Sequence, residues 1–175
     1  MDGELSDEVL VARVARGDAR ALEALCRRWE RPLHAFLARQ TGGRDVDDLY
    51  QDTWLRVVRA APRFDPTRRF STWLYQIAVN RCRDWRRRPP PEPVDPAHLT
   101  GAPAPADSAD ARLDAERLLA ALPDAQRSAV VLRYWHDCDE DEVARILRIP
   151  RGTVKSRLHH AMRRLAAVAR GAGGR

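Results

Sequence analysis

Seven of the chain's 12 prolines fall between positions 89 and 105, inside the run RRRPPPEPVDPAHLTGAPAPADSAD that spans residues 86–110. Proline locks φ and supplies no amide hydrogen, so neither helix nor sheet can run through such a segment. The stretch reads as an extended, polyproline-like tether. It divides the 175 residues into a first unit at 1–88, a linker at 89–110, a second unit at 111–170 and a disordered tail at 171–175. On both sides of the tether apolar residues recur with a helical period, and no segment alternates like a strand. The expected fold is all-α, two small helical domains joined by a Pro-rich linker.

Caps and breakers place the helices. Ser6 precedes DEVLVARVAR, which stops at Gly17. Asp18 precedes a long segment with Leu22, Leu25, Trp29, Leu33, Phe36 and Leu37 on one stripe, kinked at Pro32 and ended by Gly42 and Gly43. Asp45 is expected to cap VDDLYQDTWLRVVRA, and Ser71 to cap TWLYQIAVNRCRDWRRR. The second unit opens with ARLDAERLLAAL; Pro123 then leads DAQRSAVVLRYW. Asp139 caps EDEVARIL, with Glu142 completing a capping box.

The formal net charge is +6 with 32% charged residues, so the basic excess sits in patches and a polyanionic partner is the first reading. Lys155 is the only lysine. An arginine-dominated chain arises from base composition as readily as from phosphate binding, so placement has to decide. Cys26, Cys82 and Cys138 are odd in number and far apart, which excludes a disulfide framework or zinc finger. The N-terminus MDGELSDEVL has no apolar run of signal length, and no segment has the length of a membrane span. A cytoplasmic protein without cofactor or membrane insertion is expected.

On the last helix, Val154, Leu158, Ala161, Met162, Leu165 and Val168 share one side. The opposite side carries Gly152, Ser156, His159, His160 and Arg163, flanked by Lys155, Arg157 and Arg164. A short helix with Val143, Ala144 and Leu147 turned inward precedes it across the turn RIP. This is helix-turn-helix spacing, and a second helix of this kind fits a DNA major groove. In the first unit, Val46, Leu49, Tyr50, Thr53 and Val57 form the inward face of the helix after Asp45. Its outward face holds Asp48, Gln51, Asp52, Leu55 and Arg59, with Trp54 and Val58 at the edge. Apolar residues among acids on an exposed helix read as a docking surface. On the helix after Ser71, Gln76, Asn80, Arg83 and Arg87 form a hydrogen-bonding, cationic stripe beside Trp73. The preceding loop RFDPTRRF sets Phe64 and Phe70 among arginines that include Arg68 and Arg69. Aromatics interleaved with cations suit single-stranded DNA.

These stretches resemble the extracytoplasmic-function sigma factors of the sigma-70 family. LPDAQRSAVVLRYW, DEDEVARILRIPRGTVKSRLHHAMRRL and above all GTVKSRL resemble region 4. LVARVARGDARALEAL, DVDDLYQDTWLRVVRA and FSTWLYQIAVNRCRDW resemble region 2. The resemblance implies an alternative sigma factor, not an enzyme. Asp48, Gln51, Asp52, Leu55 and Arg59 would meet core RNA polymerase at the clamp helices of its largest subunit, with the flap as a further contact. Phe64, Arg68, Arg69, Trp73, Gln76, Asn80 and Arg83 would melt and read minus-ten DNA. Arg151, Thr153, Lys155, Ser156, Arg157, His159, His160 and Arg163 would read the minus-thirty-five duplex. An anti-sigma factor is implied as a further partner. Family members usually carry glycine at the positions of Asp137 and Arg148, and His159 and His160 replace residues that often read bases.

The tether fits this division of labour. The two promoter elements lie roughly 35 Å apart, and about twenty extended residues reach roughly 60 Å. Two rival readings remain. A stand-alone helix-turn-helix regulator would use the first unit to dimerise or sense a ligand. A magnesium-dependent enzyme of diphosphates would use DDLYQD, but needs a second carboxylate cluster facing it.

Overall fold

The computed structural model describes residues 5–88 and 109–172, and every regular element among them is helical. The first unit holds α1 (Asp7–Val14), α2 (Ala19–Thr41), α3 (Val46–Ala60), a 3-10 turn at Ala61–Arg63 and α4 (Phe70–Arg87). The second holds α5 (Ala109–Ala120), α6 (Asp124–Trp135), α7 (Glu140–Leu147) and α8 (Arg151–Ala172). Most of the expected linker, 89–108, lies outside the described residues. Ala109 and Asp110, expected in the linker, open α5 instead, and α8 continues to Ala172 into the expected tail.

Several ends form as their residues dictate. The Ser6 hydroxyl accepts from the Val9 amide, and Asp18 Oδ1 from the Ala21 amide at 3.1 Å. Gly42 and Gly43 end α2 with φ of 66° and 81°, backbone that costs glycine nothing. The helix itself runs through Pro32 as one element. Asp139 and Glu142 close a complete capping box on α7.

Two expected caps are corrected. Asp45 stands before α3 in left-handed backbone (φ 52°) and caps nothing; its carboxylate accepts instead from Trp85 Nε1 at 2.7 Å. Ser71 lies inside α4, which begins at Phe70. The free Phe70 amide donates to Glu8 Oε1 at 2.9 Å, so a side chain of α1 caps α4.

The core of the first unit gathers Val11, Leu25, Leu33, Phe36, Leu37, Val57, Phe70 and Leu74, all fully buried. Trp29 meets Phe70 and Tyr75 edge-on, with centroids 5.8 and 5.9 Å away. Trp54, expected at the edge of an outward face, is only 6% exposed and packs edge-on against Tyr50. Its ring is long enough to reach back beneath the helix from a border position. In the second unit Val130, Val131, Leu132, Val143, Leu147, Val154 and Ala161 close the core. Met162 (38%) and Val168 (37%), expected inward, are exposed.

The two units share a junction. α4 lies against α7, and α2 against α6.

Candidate nucleic-acid interface

Three surfaces hold the candidate residues. The first is the outward face of α3, where Asp48, Gln51, Leu55, Val58 and Arg59 are exposed. Leu55 keeps 53% of its surface open, an apolar side chain standing among acids. Asp52 is half-buried, within 4.0 Å of Arg81 and 3.8 Å of Arg88, so ion pairs already draw on its charge. Arg81 in turn pairs with Asp84.

The second surface is the loop before α4 and the stripe along that helix. Asp65 Oδ1 accepts from the Thr67 hydroxyl at 2.7 Å and the Thr67 amide at 3.0 Å, which shapes the loop and holds the Asp65 carboxyl below its usual range. Phe64 leans on Trp73 at 4.9 Å and on Phe70 at 6.4 Å. Both Phe64 and Trp73 are half-buried and brace one another across the loop. Arg68, Arg69 and Asn80 are exposed. Gln76 departs most from expectation. It is 5% exposed, and its amide donates to the Arg145 carbonyl of α7 at 2.7 Å. Arg69 pairs with Glu142 of α7 at 2.7 Å. Arg83 is half-buried; burial lowers its pKa, and the nearby positive charges of Arg157, Arg87 and Arg86 push the same way.

The third surface is the open side of α8. Arg151, Gly152, Lys155, Ser156, His159, His160 and Arg163 are exposed; Thr153 and Arg157 are half-buried. The HTH turn is held by the Ile149 amide donating to the Ala144 carbonyl at 3.1 Å. Arg148 turns in left-handed backbone (φ 54°) and Asp137 does likewise (φ 49°), the two positions where the resemblance implies glycine. Glu140 accepts from Arg151 Nε at 3.1 Å and lies 3.9 Å from Lys155, so the acidic front of α7 steadies the cations at the start of α8. His160 Nδ1 meets the Ser156 carbonyl at 2.7 Å, and its ring stands edge-on to His159 at 5.8 Å.

The junction residues carried no sequence signal. Ser128 donates to Gln40 Oε1 at 2.9 Å, and Arg127 to the Gln40 carbonyl at 3.1 Å. The Tyr75 hydroxyl meets His136 Nδ1 at 2.7 Å, and Arg86 reaches Asp124 at 3.2 Å. Partners so far apart in the chain share no local pattern. No cluster of three or more His, Cys, Asp or Glu able to hold a metal occurs among the described residues, and none of their helices is long and apolar enough to cross a membrane.

A bundle with an exposed apolar-acidic helix, followed by a helix-turn-helix unit with a cationic second helix, defines a two-part DNA-binding transcription protein. Family comparison narrows this. Residues 25–89 match the sigma-70 region 2 family and residues 112–165 the sigma-70 region 4 family. The chain is 32% identical over 177 aligned positions to the ECF RNA polymerase sigma-E factors of Salmonella typhimurium and Escherichia coli K12, covering 92% of this chain and 93% of each relative. Among solved structures, CnrH in complex with the cytosolic domain of CnrY is similar at 29% identity and a TM-score of 0.71, covering 94% of this chain and 97% of that one. The sigma factor RpoE of Bartonella quintana, in complex with the anti-sigma factor NepR, shares the fold at 22% identity and a TM-score of 0.69, covering 85% of this chain and 96% of that one. The chain belongs to the sigma-70 family, in its extracytoplasmic-function group. It is an alternative sigma factor, a transcription initiation factor and not an enzyme.

Proposed function

We propose that α3 docks on the clamp helices of core RNA polymerase through Asp48, Gln51, Leu55 and Arg59, with Asp52 at its margin, while region 4 adds a contact to the flap. In that complex α8 lies in the minus-thirty-five major groove. Ser156, His159 and His160 face base edges, while Arg151, Lys155, Arg157 and Arg163 serve phosphates; bidentate and edge contacts of this sort carry the sequence reading. The loop Phe64–Arg69 and the exposed Asn80 engage the minus-ten strand. Extruding a base costs a few kcal/mol, and stacking at roughly 1–3 kcal/mol per base offsets it, so strand opening needs no nucleotide hydrolysis. The protein acts in the cytoplasm, where promoter DNA and core polymerase are, and is held in check by an anti-sigma factor.

The observation that carries this reading is the exposed, apolar-acidic face of α3 in the same chain as an exposed cationic α8. A stand-alone regulator would use the first of these to dimerise or sense a ligand, not to bind core polymerase. Run-off transcription with purified core tests it. Asp48→Arg is expected to lose core binding and transcription together; Asn80→Ala is expected to bind core normally and lose open complex. Full transcription by Asp48→Arg would leave the regulator reading in its place.

A further inference from the structure

We propose that α8 reads its duplex through hydrogen-bond acceptors: Ser156 Oγ and His160 Nε2 together select neighbouring base pairs that offer exocyclic amines, adenine N6 or cytosine N4. The proposal rests on the sigma-factor reading and adds to it the polarity of the contact. A serine hydroxyl can donate or accept, and a neutral imidazole presents one nitrogen of each kind, so neither residue type specifies a base by itself. In this helix the backbone removes the choice. The Ser156 hydroxyl donates to the Thr153 carbonyl at 3.0 Å, which spends its one proton and leaves Oγ with lone pairs alone. His160 Nδ1 lies 2.7 Å from the Ser156 carbonyl. A carbonyl only accepts, so Nδ1 carries the proton, and Nε2 on the far side of the neutral ring keeps its lone pair.

The two acceptors sit together. Ser156 and His160 are exposed and four residues apart, a step of roughly 6 Å along one face of the helix. That step covers about two stacked base pairs at roughly 3.4 Å each. The His159 ring stands edge-on to that of His160 at 5.8 Å and borders it on the helix surface. Two of the nearby cations are drawn aside: Arg151 donates to Glu140 of α7 at 3.1 Å, and Lys155 stands 3.9 Å from the same carboxylate. In the major groove adenine shows an amine beside N7 and cytosine shows an amine, whereas guanine shows only acceptors and thymine an acceptor and a methyl group. An acceptor pair therefore bonds adenine and cytosine and meets guanine and thymine lone pair to lone pair. His160→Arg would reverse that preference, since a guanidinium only donates and pairs with guanine O6 and N7.

The test uses the full chain assembled with purified core polymerase, at about pH 8, where an imidazole is ordinarily neutral. Selection from duplexes randomised across the minus-thirty-five element is expected to fix two neighbouring positions, one losing its preference in Ser156→Ala and the other in His160→Ala. Both side chains are exposed, so neither variant disturbs the core. At those positions N6-methyladenine or N4-methylcytosine puts a methyl group in place of the groove-facing amine hydrogen. This is expected to weaken wild-type binding about fivefold and to leave the matching alanine variant unchanged. 7-Deazapurines, which lack the N7 acceptor, are expected to bind wild type as well as the natural bases do. His160→Arg is expected to move its position to guanine and to become sensitive to 7-deazaguanine. Wild-type loss with 7-deazapurines instead of the methylated amines would overturn the acceptor assignment, and unchanged selection by either alanine variant would overturn the pair. Both results leave promoter selection by the holoenzyme, and with it the sigma-factor reading, in place. A holoenzyme that selects no element overturns that reading and the proposal together.

Discussion

Arg148 shows how much one backbone angle decides. Its φ of 54° ends α7 and aims the chain into α8, while its side chain is exposed. Left-handed backbone costs an L-residue roughly 1–2 kcal/mol that glycine avoids, less what glycine gives back to the unfolded chain. Arg148→Gly is expected to stabilise the second unit by about 0.5–1 kcal/mol, read as a melting temperature raised by a few degrees. Asp137→Gly is expected to gain less, because aspartate tolerates this conformation. Asp45 shares the geometry but has a second task, accepting from Trp85, so glycine there would lose a bond as well. These three angles separate what was legible from what was not. Glycine-like turns at 137 and 148 followed from the family pattern. At Asp45 a capping residue type in the capping position was misleading, because the turn that precedes it points the carboxylate away from the amides of α3.

At the scale of the element, helices were legible because their periodicity is local, and their neighbours were not because contacts are not. The stripes of α2 and α7 could be read directly, and Ser6, Asp18 and Asp139 cap as their types predict. α4 could not be read in this way, since its cap comes from another helix. Glu8 accepts from the Phe70 amide, and that bond is the main cause holding its carboxyl below the usual 4.5. The sign follows. A depressed carboxyl contributes stability above its unfolded pKa, and the contribution is lost as pH falls through the folded value. Glu8→Ala is expected to destabilise the first unit by about 1 kcal/mol at neutral pH, the usual worth of an N-cap. The difference from wild type should shrink as pH falls below 4.5 and through the lowered folded value. Glu8→Gln keeps an acceptor, so its melting point at neutral pH should stay closer to wild type while its acid dependence flattens. Thermal melts of the three proteins at neutral and acid pH check both halves. Equal acid sensitivity in all three would assign the α4 cap elsewhere. The same limit governed the docking faces: the exposure of Leu55 was readable from α3 alone, but the burial of Gln76 depends on α7, whose packing against α4 no local pattern encodes.

Across the whole molecule the junction carries a titratable group whose sign can be worked out. His136 follows α6 in a pocket made by the other unit, its ring 4.9 Å from that of Tyr75 and 5.6 Å from that of Phe36. Burial pushes its pKa down from 6.5 to about 4; the charge of Arg39 on α2 pushes the same way, and Asp137 opposes them. Tyr75 from α4 meets it as a neutral hydroxyl, and the buried Cys138 thiol follows in its own loop. The imidazole is thus neutral while the two units pack against each other and free to take a proton once they part and Arg39 is left behind. The packing of the two units is fully supported above pH 6.5 and weakens as pH falls from there toward about 4. Scattering of the wild type is expected to show expansion across that window before the helices melt. His136→Phe keeps a ring against Phe36 and Tyr75 but cannot be protonated. Its units should pack no more firmly than those of wild type at neutral pH, since the Tyr75 bond is gone, yet their packing should be insensitive to acid. Expansion of that variant over the same pH range would take the acid response away from His136.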